Sequence, residues 1–210
     1  MNDEASAPID LGRIDAAVDS AFAPLRGKPR VDRAAAALSN LSDYGLIWVL
    51  IGLIKIRRKG PERRRAFVAL GAAGFSSLIA SRLVKQAVDR ERPDDHLEAG
   101  VRAPRSSSFP SGHTTAAFCT AIVLPESDTA RTAAVSFAGA VAASRVHLRA
   151  HHPTDVIGGA VLGSVLGLVL RPLVDTITPG RRGRSPGRRR RGGRRRPMGM
   201  DGIEVRLERL

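Results

Sequence analysis

The sequence predicts an all-α integral membrane protein, a bundle of about five transmembrane helices that follows an amphipathic helix and precedes a basic tail. Two observations predict this architecture. Long apolar runs recur through the middle of the chain, and crossing a bilayer takes about 20 mostly apolar residues. A dense cluster of Lys and Arg lies between the first two runs and another follows the last run, as expected for segments that stay on the cytoplasmic side. The near-zero mean hydropathy of −0.10 averages the apolar runs with very polar ends.

Residues 1–33 predict an interfacial segment. After a start that we expect to be disordered, apolar residues follow at helical spacing with aspartates between them. We expect an amphipathic helix over residues 9–25 that lies on the membrane surface or on the bundle and does not cross the bilayer. A solvated helix without a membrane role is the alternative. The apolar residues are Ile9, Ile14, Val18, Phe22 and Leu25, and the aspartates are Asp10, Asp15 and Asp19.

Residues 34–176 predict the transmembrane domain, with crossings separated by polar loops. The third crossing is short, because about 12–15 residues between Pro110 and Pro125 reach roughly 22 Å, whereas the hydrocarbon core is roughly 30 Å thick. Either this helix continues past Pro125 or its start lies below the headgroups. The predicted crossings are 41–56, 66–88, the short helix within 110–125, 132–148 and 154–174.

Small residues at helical spacing predict close packing in two of the crossings. At an interface between helices in a bilayer, glycine and serine let the backbones approach each other. The second crossing carries Gly71, Gly74, Ser77 and Ser81, and the fifth carries Gly159, Gly163 and Gly167.

The distribution of charge predicts which loops share a side of the membrane. Residues 55–65 hold seven basic residues and one acid, and ten arginines lie between positions 181 and 196, so we expect both segments to be cytoplasmic. Five crossings then place the loops 89–111 and 149–153 together on the outer face. Residues 177–210 are rich in Arg, Gly and Pro, which predicts a disordered tail that binds anionic lipid. We expect no nucleic-acid function from this tail.

The segment 144–155 brings a histidine, a carboxylate and an arginine close together in sequence. His151 and Asp155 are four residues apart at the start of the last apolar run, so one helical turn would bring the carboxylate to the imidazole. A carboxylate on one ring nitrogen fixes the tautomer and leaves the other nitrogen for chemistry. Arg145, with its fork of donors, suits a pair of phosphate oxygens. The alternative is a histidine that only caps a helix or lies on the surface.

Three polar clusters fall on the predicted outer side in a fixed order. They are K-x6-RP at Lys85, Arg92 and Pro93, PSGH at 110–113, and SR-x5-H-x3-D at Ser144, Arg145, His151 and Asp155. Together they resemble the signature of the type-2 phosphatidic acid phosphatase superfamily, whose small membrane members dephosphorylate lipid or polyprenyl phosphates. The resemblance covers roughly residues 41–174. It implies a multi-pass helical bundle with the site at the outer face of the cell membrane. The composition is similar to actinobacterial members proposed to act on decaprenyl phosphoryl-sugar phosphates.

The residues of these clusters also suit the binding of a phosphate. Phosphoryl transfer needs preorganised donors for the charge on the phosphoryl oxygens, and Lys, Arg and helix N-terminal amides supply them. Ser111 is placed as a helix N-cap, so the amides that follow it would form an anion site. The expected phosphate-binding residues are Lys85, Arg92, Ser111, Gly112 and Arg145.

His151 is the expected nucleophile. Oriented by Asp155, it can form a phosphohistidine, while His113 protonates the leaving alkoxide and then activates water. The family assigns the same roles to the matching positions. No cluster of carboxylates or cysteines in the sequence indicates a metal site, so we expect neither metal nor cofactor.

These expectations combine into a membrane phosphatase that hydrolyses a lipid-linked phosphate at the extracytoplasmic face. The substrate stays open among polyprenyl phosphate or diphosphate, polyprenyl phosphoryl-sugar phosphate, phosphatidic acid and phosphatidylglycerol phosphate. A non-catalytic binder or transporter of lipid phosphate with the same anion pocket is the alternative, although binding alone needs only the cations. A haloperoxidase is disfavoured because the chain lacks the large soluble scaffold of those relatives. The sequence leaves the oligomeric state open.

Overall fold

The computed structural model describes residues 10–42, 50, 53–54, 57, 61–93 and 106–178, and the regular structure in these ranges is helical. The all-α prediction is confirmed for this part of the chain. The predicted first crossing and the predicted tail lie largely outside it. The elements are α1 (Leu11–Phe22), a 3-10 turn (Ala23–Leu25), α2 (Pro29–Ser42), α3 (Pro61–Ala87), α4 (Gly112–Val123), α5 (Asp128–His147) and α6 (Pro153–Ile177).

The short helix α4 forms the centre of the described bundle. Helices α3, α5 and α6 pack around it, and Ala117, Cys119 and Ala121 have no exposed surface. Because these side chains are small, the neighbouring backbones lie close to α4. The single cysteine of the sequence, Cys119, is a free thiol that packs in this core as a small apolar side chain.

Glycines of α6 bring this helix against α4. A Cβ atom on Gly159 would lie 2.7 Å from the carbonyl oxygen of Ser111, and one on Gly163 would lie 2.3 Å from that of Thr115. Gly167 continues the same stripe one turn further on, where a Cβ atom would approach α4 to 2.8 Å. The predicted close packing of this helix is therefore confirmed. The contact fixes the start of α6 beside the start of α4.

The two glycines of α3 make no such close contact with the part of the chain that the structure describes. A Cβ atom on Gly71 or Gly74 would meet no atom of a described neighbour within 4 Å. The two serines of that pattern, Ser77 and Ser81, are buried instead. The face of α3 that turns toward the bundle is therefore the serine face, and residue size alone did not identify it.

A buried arginine closes the far end of α4. This helix ends at Val123, so it does not continue past Pro125. Arg65 of α3 donates to the carbonyls of Val123 at 3.1 Å and Leu124 at 3.0 Å, and it binds Asp175 of α6 at 2.8 Å. The last carbonyls of a helix have no partner within the helix. Arg65 supplies that partner where water would otherwise be needed.

Helices α1 and α2 lie on the bundle. Helix α1 packs against α5 and α6, and α2 packs against α5. Gly27, with φ of 76°, turns the chain between them. Arg26 donates to the carbonyls of Val146 at 3.2 Å and His147 at 3.1 Å, and it also binds Asp19. The predicted N-terminal helix is thus confirmed, and it is fastened to the C-terminal end of α5.

Two described helices, α3 and α6, are long and apolar enough to cross a membrane. Their mean hydropathy reaches 1.6 and 1.9, yet only 22% of each apolar stretch is buried inside the protein. The remaining faces carry large apolar side chains, which favour hydrocarbon over water. Examples that are more than half exposed are Phe67, Phe75, Leu78, Leu83, Val161, Leu168 and Leu173.

Candidate active site

The start of α6 and the loop before it hold the histidine and carboxylate pair. His151 and Asp155 are both buried, and Nδ1 of the imidazole lies 3.7 Å from Oδ2 of the carboxylate. The same carboxylate oxygen accepts the backbone N–H of His152 at 2.9 Å. Pro153 occupies the first helical position, where its missing N–H costs nothing. The four-residue spacing therefore brings the two groups together across one turn.

Arg92 faces the other ring nitrogen of His151. Its Nη1 lies 3.3 Å from Nε2 and donates to the carbonyl of Ala150 at 2.7 Å. A guanidinium can only donate, so Nε2 carries a lone pair, and the neutral ring keeps its proton on Nδ1, toward Asp155. In this tautomer Nε2 is available as a nucleophile.

Burial keeps the imidazole of His151 neutral. It lowers the pKa of His151 to about 3, and the charges of Arg92 and Arg145 act in the same direction while Asp155 opposes them. Burial also lowers the pKa of the Arg92 guanidinium, and again Asp155 opposes the shift. At neutral pH the site therefore holds an uncharged imidazole between a carboxylate and an arginine.

Lys85 joins the site from the last turn of α3. Its ammonium donates to the carbonyl of Ser107 at 2.7 Å, and Nη2 of Arg92 lies 3.5 Å from the same oxygen. Ser107 thus holds the two cations of the first motif near each other. Both side chains remain partly exposed, so an anion can reach them.

Arg145 lies deeper than the other cations. It is 1% exposed, and its Nη1 donates to the hydroxyl of Ser39 in α2. Its carbonyl accepts the N–H of Ala150 at 3.0 Å, which ties the end of α5 to the loop that carries His151. The sequence predicts the arginine, but it gives no indication that α2 provides a partner for it.

The PSGH motif begins α4 beside Asp155. Ser111 is the N-cap residue, as the sequence predicts, but its hydroxyl makes no capping bond and instead accepts from the Thr114 hydroxyl at 3.1 Å. The backbone N–H of Ser111 donates to the backbone carbonyl of Asp155 at 3.0 Å. Gly112 and the half-buried His113 follow as the first two helical residues. Their amides lie at the positive end of the helix dipole.

A cavity of about 450 Å³ opens over His151. One wall is α1, which contributes Asp15 and Asp19, and another is the 91–93 segment with Arg92. Arg149 also lines the cavity. A phosphate group in this space would reach both the imidazole and the guanidinium.

Sequence reasoning missed two residues of the site, Arg90 and Asp15. Nη1 of Arg90 donates to Oδ1 of Asp155 at 2.7 Å, and Nη2 binds Asp15 of α1. Asp15 also accepts the N–H of Thr154 at 2.8 Å. Asp15 lies beside the apolar stripe of α1, and Arg90 lies two residues before the motif arginine. Neither position distinguishes these residues from charges that face solvent.

Comparison with known proteins identifies the family. Residues 65–179, which include all three motifs, match the PAP2 superfamily. The chain belongs to this superfamily. A PAP2 fold also appears in the crystal structure of a transmembrane PAP2 type phosphatidylglycerolphosphate phosphatase from Bacillus subtilis. It superposes with a TM-score of 0.63 at 25% identity, covering 80% of this chain and 87% of that one. The resemblance to type-2 phosphatidic acid phosphatases is thereby confirmed, and the chain is a membrane protein.

Two curated relatives of this PAP2 chain are decaprenylphosphoryl-5-phosphoribose phosphatases. The protein of Mycolicibacterium smegmatis is 34% identical over 146 residues, which cover 69% of this chain and 80% of the relative. That of Mycobacterium tuberculosis is 31% identical over 155 residues, covering 73% and 84%. The PAP2 proteins that this chain resembles are therefore phosphatases of lipid-linked phosphates.

Proposed function

We propose that this PAP2 protein is a multi-pass membrane phosphatase that hydrolyses a polyprenyl-linked phosphomonoester through a phosphohistidine on His151. One arrangement carries the proposal: Nε2 lies beside Arg92 and Nδ1 lies toward Asp155, while His151 and Arg92 both line the cavity. Among the substrates that the sequence leaves open, the names of the relatives favour a polyprenyl phosphoryl-sugar phosphate.

In the first half-reaction Nε2 of His151 attacks phosphorus. The N–P bond forms as the P–O ester bond breaks, and the electron pair of that bond goes to the leaving alkoxide. His113 protonates this alkoxide. Asp155, close to Nδ1, stabilises the positive charge that develops on the imidazole ring.

In the second half-reaction water releases the phosphate. His113, now neutral, takes a proton from the water molecule as its oxygen attacks phosphorus. The new O–P bond forms as the N–P bond breaks, and His151 returns to its neutral state. Inorganic phosphate is the product that leaves the cavity.

Fixed hydrogen-bond donors stabilise the negative charge of the phosphoryl group that is transferred. Lys85 and Arg92 lie together at the Ser107 carbonyl, and the charge of Arg145 acts on His151 from the buried side. The amides of Gly112 and His113 add the N-terminal dipole of α4. Such preorganised donors stabilise the transition state without reorganisation.

We also propose that the site opens to the extracytoplasmic side and that the chain crosses the membrane five times. The support is the basic loop at 55–65 and the arginine-rich tail, which favour the cytoplasm. Cysteine labelling with a membrane-impermeant thiol reagent in intact cells tests this. We expect labelling of a Ser106→Cys variant at the site end and none of a Glu126→Cys variant between α4 and α5. The opposite pattern contradicts the proposed orientation.

The decisive experiment measures phosphate release by purified protein from a panel of lipid phosphates. The panel contains polyprenyl monophosphate, polyprenyl diphosphate, a polyprenyl phosphoryl-sugar phosphate, phosphatidic acid and phosphatidylglycerol phosphate. We expect release from the sugar phosphate, none from a His151→Ala variant, and an acid-labile phosphoenzyme on the wild type. Preference for another lipid corrects the substrate only.

The non-catalytic alternative makes a different prediction in the same experiment. A binder or transporter would retain lipid phosphate with measurable affinity and release no phosphate from any lipid in the panel. It would also bind equally well after replacement of His113, because only the cations would be needed. These two results together would favour a non-catalytic binder or transporter over the proposed phosphatase.

A further inference from the structure

Asp15 is buried although it belongs to an amphipathic helix at the edge of the bundle. Only 7% of its surface is exposed, and both carboxylate oxygens are engaged. Oδ1 accepts the backbone N–H of Thr154 at 2.8 Å, and Oδ2 accepts the Thr154 hydroxyl at 3.0 Å and also binds Arg90. The Thr154 amide is one of the N-terminal donors of α6 that have no partner within the helix. Asp15 therefore caps α6 from another helix.

Arg90 connects this carboxylate to the one behind His151. While its Nη2 binds Asp15, its Nη1 donates to Oδ1 of Asp155 at 2.7 Å and to the Thr154 hydroxyl at 2.6 Å. The backbone of Arg90 is itself held, since its carbonyl accepts the N–H of Ser108 at 2.9 Å. A planar guanidinium holds its donors in a fixed fork and can bind two carboxylates at once, whereas the donors of an ammonium rotate on a flexible chain.

Arg90 and the His152 amide each hold one oxygen of the Asp155 carboxylate. The terminal torsion of an aspartate is broad and roughly two-fold, so a carboxylate without fixed partners can rotate. Here Arg90 holds Oδ1, which leaves Oδ2 toward the His152 amide and Nδ1 of His151. A chain of contacts thus runs from Asp15 in α1 through Arg90 and Asp155 to the imidazole.

We propose that Asp15, acting through Arg90, is a positioning residue that orients the Asp155 carboxylate behind His151. Helix α1 is then part of the catalytic apparatus as well as a wall of the cavity. This inference rests on the proposed function, since it assigns Asp15 a role in the reaction of His151. The competing view is that Asp15 only fastens α1 to the bundle.

An Asp15→Asn variant separates the two views. Its amide oxygen can still accept from the Thr154 amide, so the cap survives, but its NH2 group would face the donors of Arg90 and break that link. An Arg90→Gln variant breaks the link from the other side. An Arg90→Lys variant keeps the charge without the fork, and Asp10→Ala is the matched control. Asp10 is the exposed N-cap residue of α1, the helix that carries Asp15, and it accepts the N–H of Arg13.

The experiment measures kcat, KM and the thermal midpoint for these variants. Since a small misplacement of catalytic groups costs up to about 100-fold in rate, we expect kcat to fall about tenfold in Asp15→Asn and about 100-fold in Arg90→Gln, with KM unchanged. The kcat of Arg90→Lys should lie between those of wild type and Arg90→Gln. The double variant Asp15→Asn/Arg90→Gln should be no slower than Arg90→Gln alone, because both act through one connection. Asp10→Ala should keep kcat.

Three outcomes would overturn the inference. One is a wild-type kcat in Asp15→Asn while His151→Ala is inactive, which leaves the proposed function intact. Another is a double variant whose loss of kcat equals the product of the losses in the two single variants, as expected for independent effects. A third is an equal loss of kcat in Asp10→Ala, which would indicate that only the docking of α1 matters.

A second readout keeps the inference separate from hydrolysis. Orthovanadate mimics the phosphoryl transition state, so its affinity depends on the orientation of His151. We expect titration calorimetry to show about tenfold weaker vanadate binding by Asp15→Asn than by wild type. If no lipid phosphate is hydrolysed, the proposed function fails, and equal vanadate affinities of the two proteins would then overturn the positioning role as well.

Discussion

The backbone N–H of Ser111 donates to the backbone carbonyl of Asp155 at 3.0 Å. This bond joins the N-cap serine of the PSGH motif to the carboxylate residue of the last motif, so the two motifs share a backbone contact. It is possible because Gly159, one turn further along α6, leaves the Ser111 carbonyl room that a Cβ atom at 2.7 Å would fill. The glycine stripe is therefore a condition for the site.

Replacing Gly163 by alanine tests the role of the glycine stripe. The new methyl would lie 2.3 Å from the carbonyl oxygen of Thr115, and a helix backbone cannot move aside without shifting α4. We expect a loss of stability of about 1–3 kcal/mol or more, and reduced phosphate release. The matched control is Gly139→Ala in α5, where no described neighbour lies within 4 Å, and which should be neutral or slightly stabilising. Equal thermal midpoints for the two variants would contradict the stripe's role.

Arg65 carries a second structural prediction. Arg65→Gln would leave the carbonyls at the end of α4 without their donor and Asp175 without its buried partner. We expect a loss of about 2–3 kcal/mol, seen as a lower thermal midpoint in detergent. Arg64→Gln, at an exposed position of the same turn, should change little. A wild-type midpoint for Arg65→Gln would show that water satisfies these carbonyls.

Much of the fold could be predicted because its determinants are local in sequence. The period and length of the apolar runs predicted α3, α5 and α6, and the four-residue glycine spacing predicted close packing of α6, although not that α4 is its partner. The small residues of α3 show the limit of local information, because Ser77 and Ser81 are buried whereas Gly71 and Gly74 contact no described neighbour. A small residue allows a neighbouring helix to approach closely. Which face of the helix packs against a neighbour depends on residues elsewhere in the chain. The donor for the last carbonyls of α4, Arg65, likewise could not be predicted, because it is distant in sequence.

The site shows the same division between local and distant determinants. His151 and Asp155 meet across one helical turn, so their spacing was sufficient to predict the geometry. Asp15 and Arg90 are separated by 75 residues, and their link exists only because α1 docks on the start of α6. In the sequence both are ordinary charges. The Ser39 partner of Arg145 could not be predicted for the same reason.

Replacing Asp155 by asparagine tests the role of the carboxylate in catalysis. Asparagine keeps the shape of the side chain but cannot stabilise the positive charge that develops on the imidazole. Its NH2 group can also hold the imidazole of His151 in the wrong tautomer. We expect kcat to fall by about 10³- to 10⁴-fold with little change in KM. Asp128→Asn is the control, because Asp128 is 94% exposed in its pair with Arg131 and should retain full activity. Loss of less than about tenfold in Asp155→Asn would remove Asp155 from the mechanism.

The buried neutral imidazole predicts how stability depends on pH. The pKa of His151 is lowered to about 3 in the folded protein from an ordinary value of 6.5, so between these values the unfolded chain binds more protons than the folded one. This contribution to stability is present above the unfolded pKa and is lost as the pH falls toward the folded pKa. From about pH 7.5 to about pH 4.5 the loss is on the order of 2 kcal/mol.

Comparison with a His151→Gln variant isolates this contribution. The variant lacks the titrating ring, so its thermal midpoint should fall less than that of wild type when the pH is lowered, whatever its midpoint at neutral pH. Thermal unfolding in detergent at the two pH values measures both proteins. An equal fall of the thermal midpoint in wild type and His151→Gln would mean that groups other than His151 cause the acid sensitivity.

The final prediction concerns metal ions. In the proposed reaction Lys85, Arg92 and Arg145 neutralise the phosphoryl charge, and the nucleophile is a nitrogen with its own lone pair, so no step needs a Lewis acid. Phosphate release should therefore be unchanged after incubation with excess EDTA, as should the amount of phosphoenzyme. A metal-dependent phosphatase in the same detergent controls for chelation. Activity that is lost in EDTA and returns on addition of a divalent cation would show that a metal shares the task assigned to the three cations.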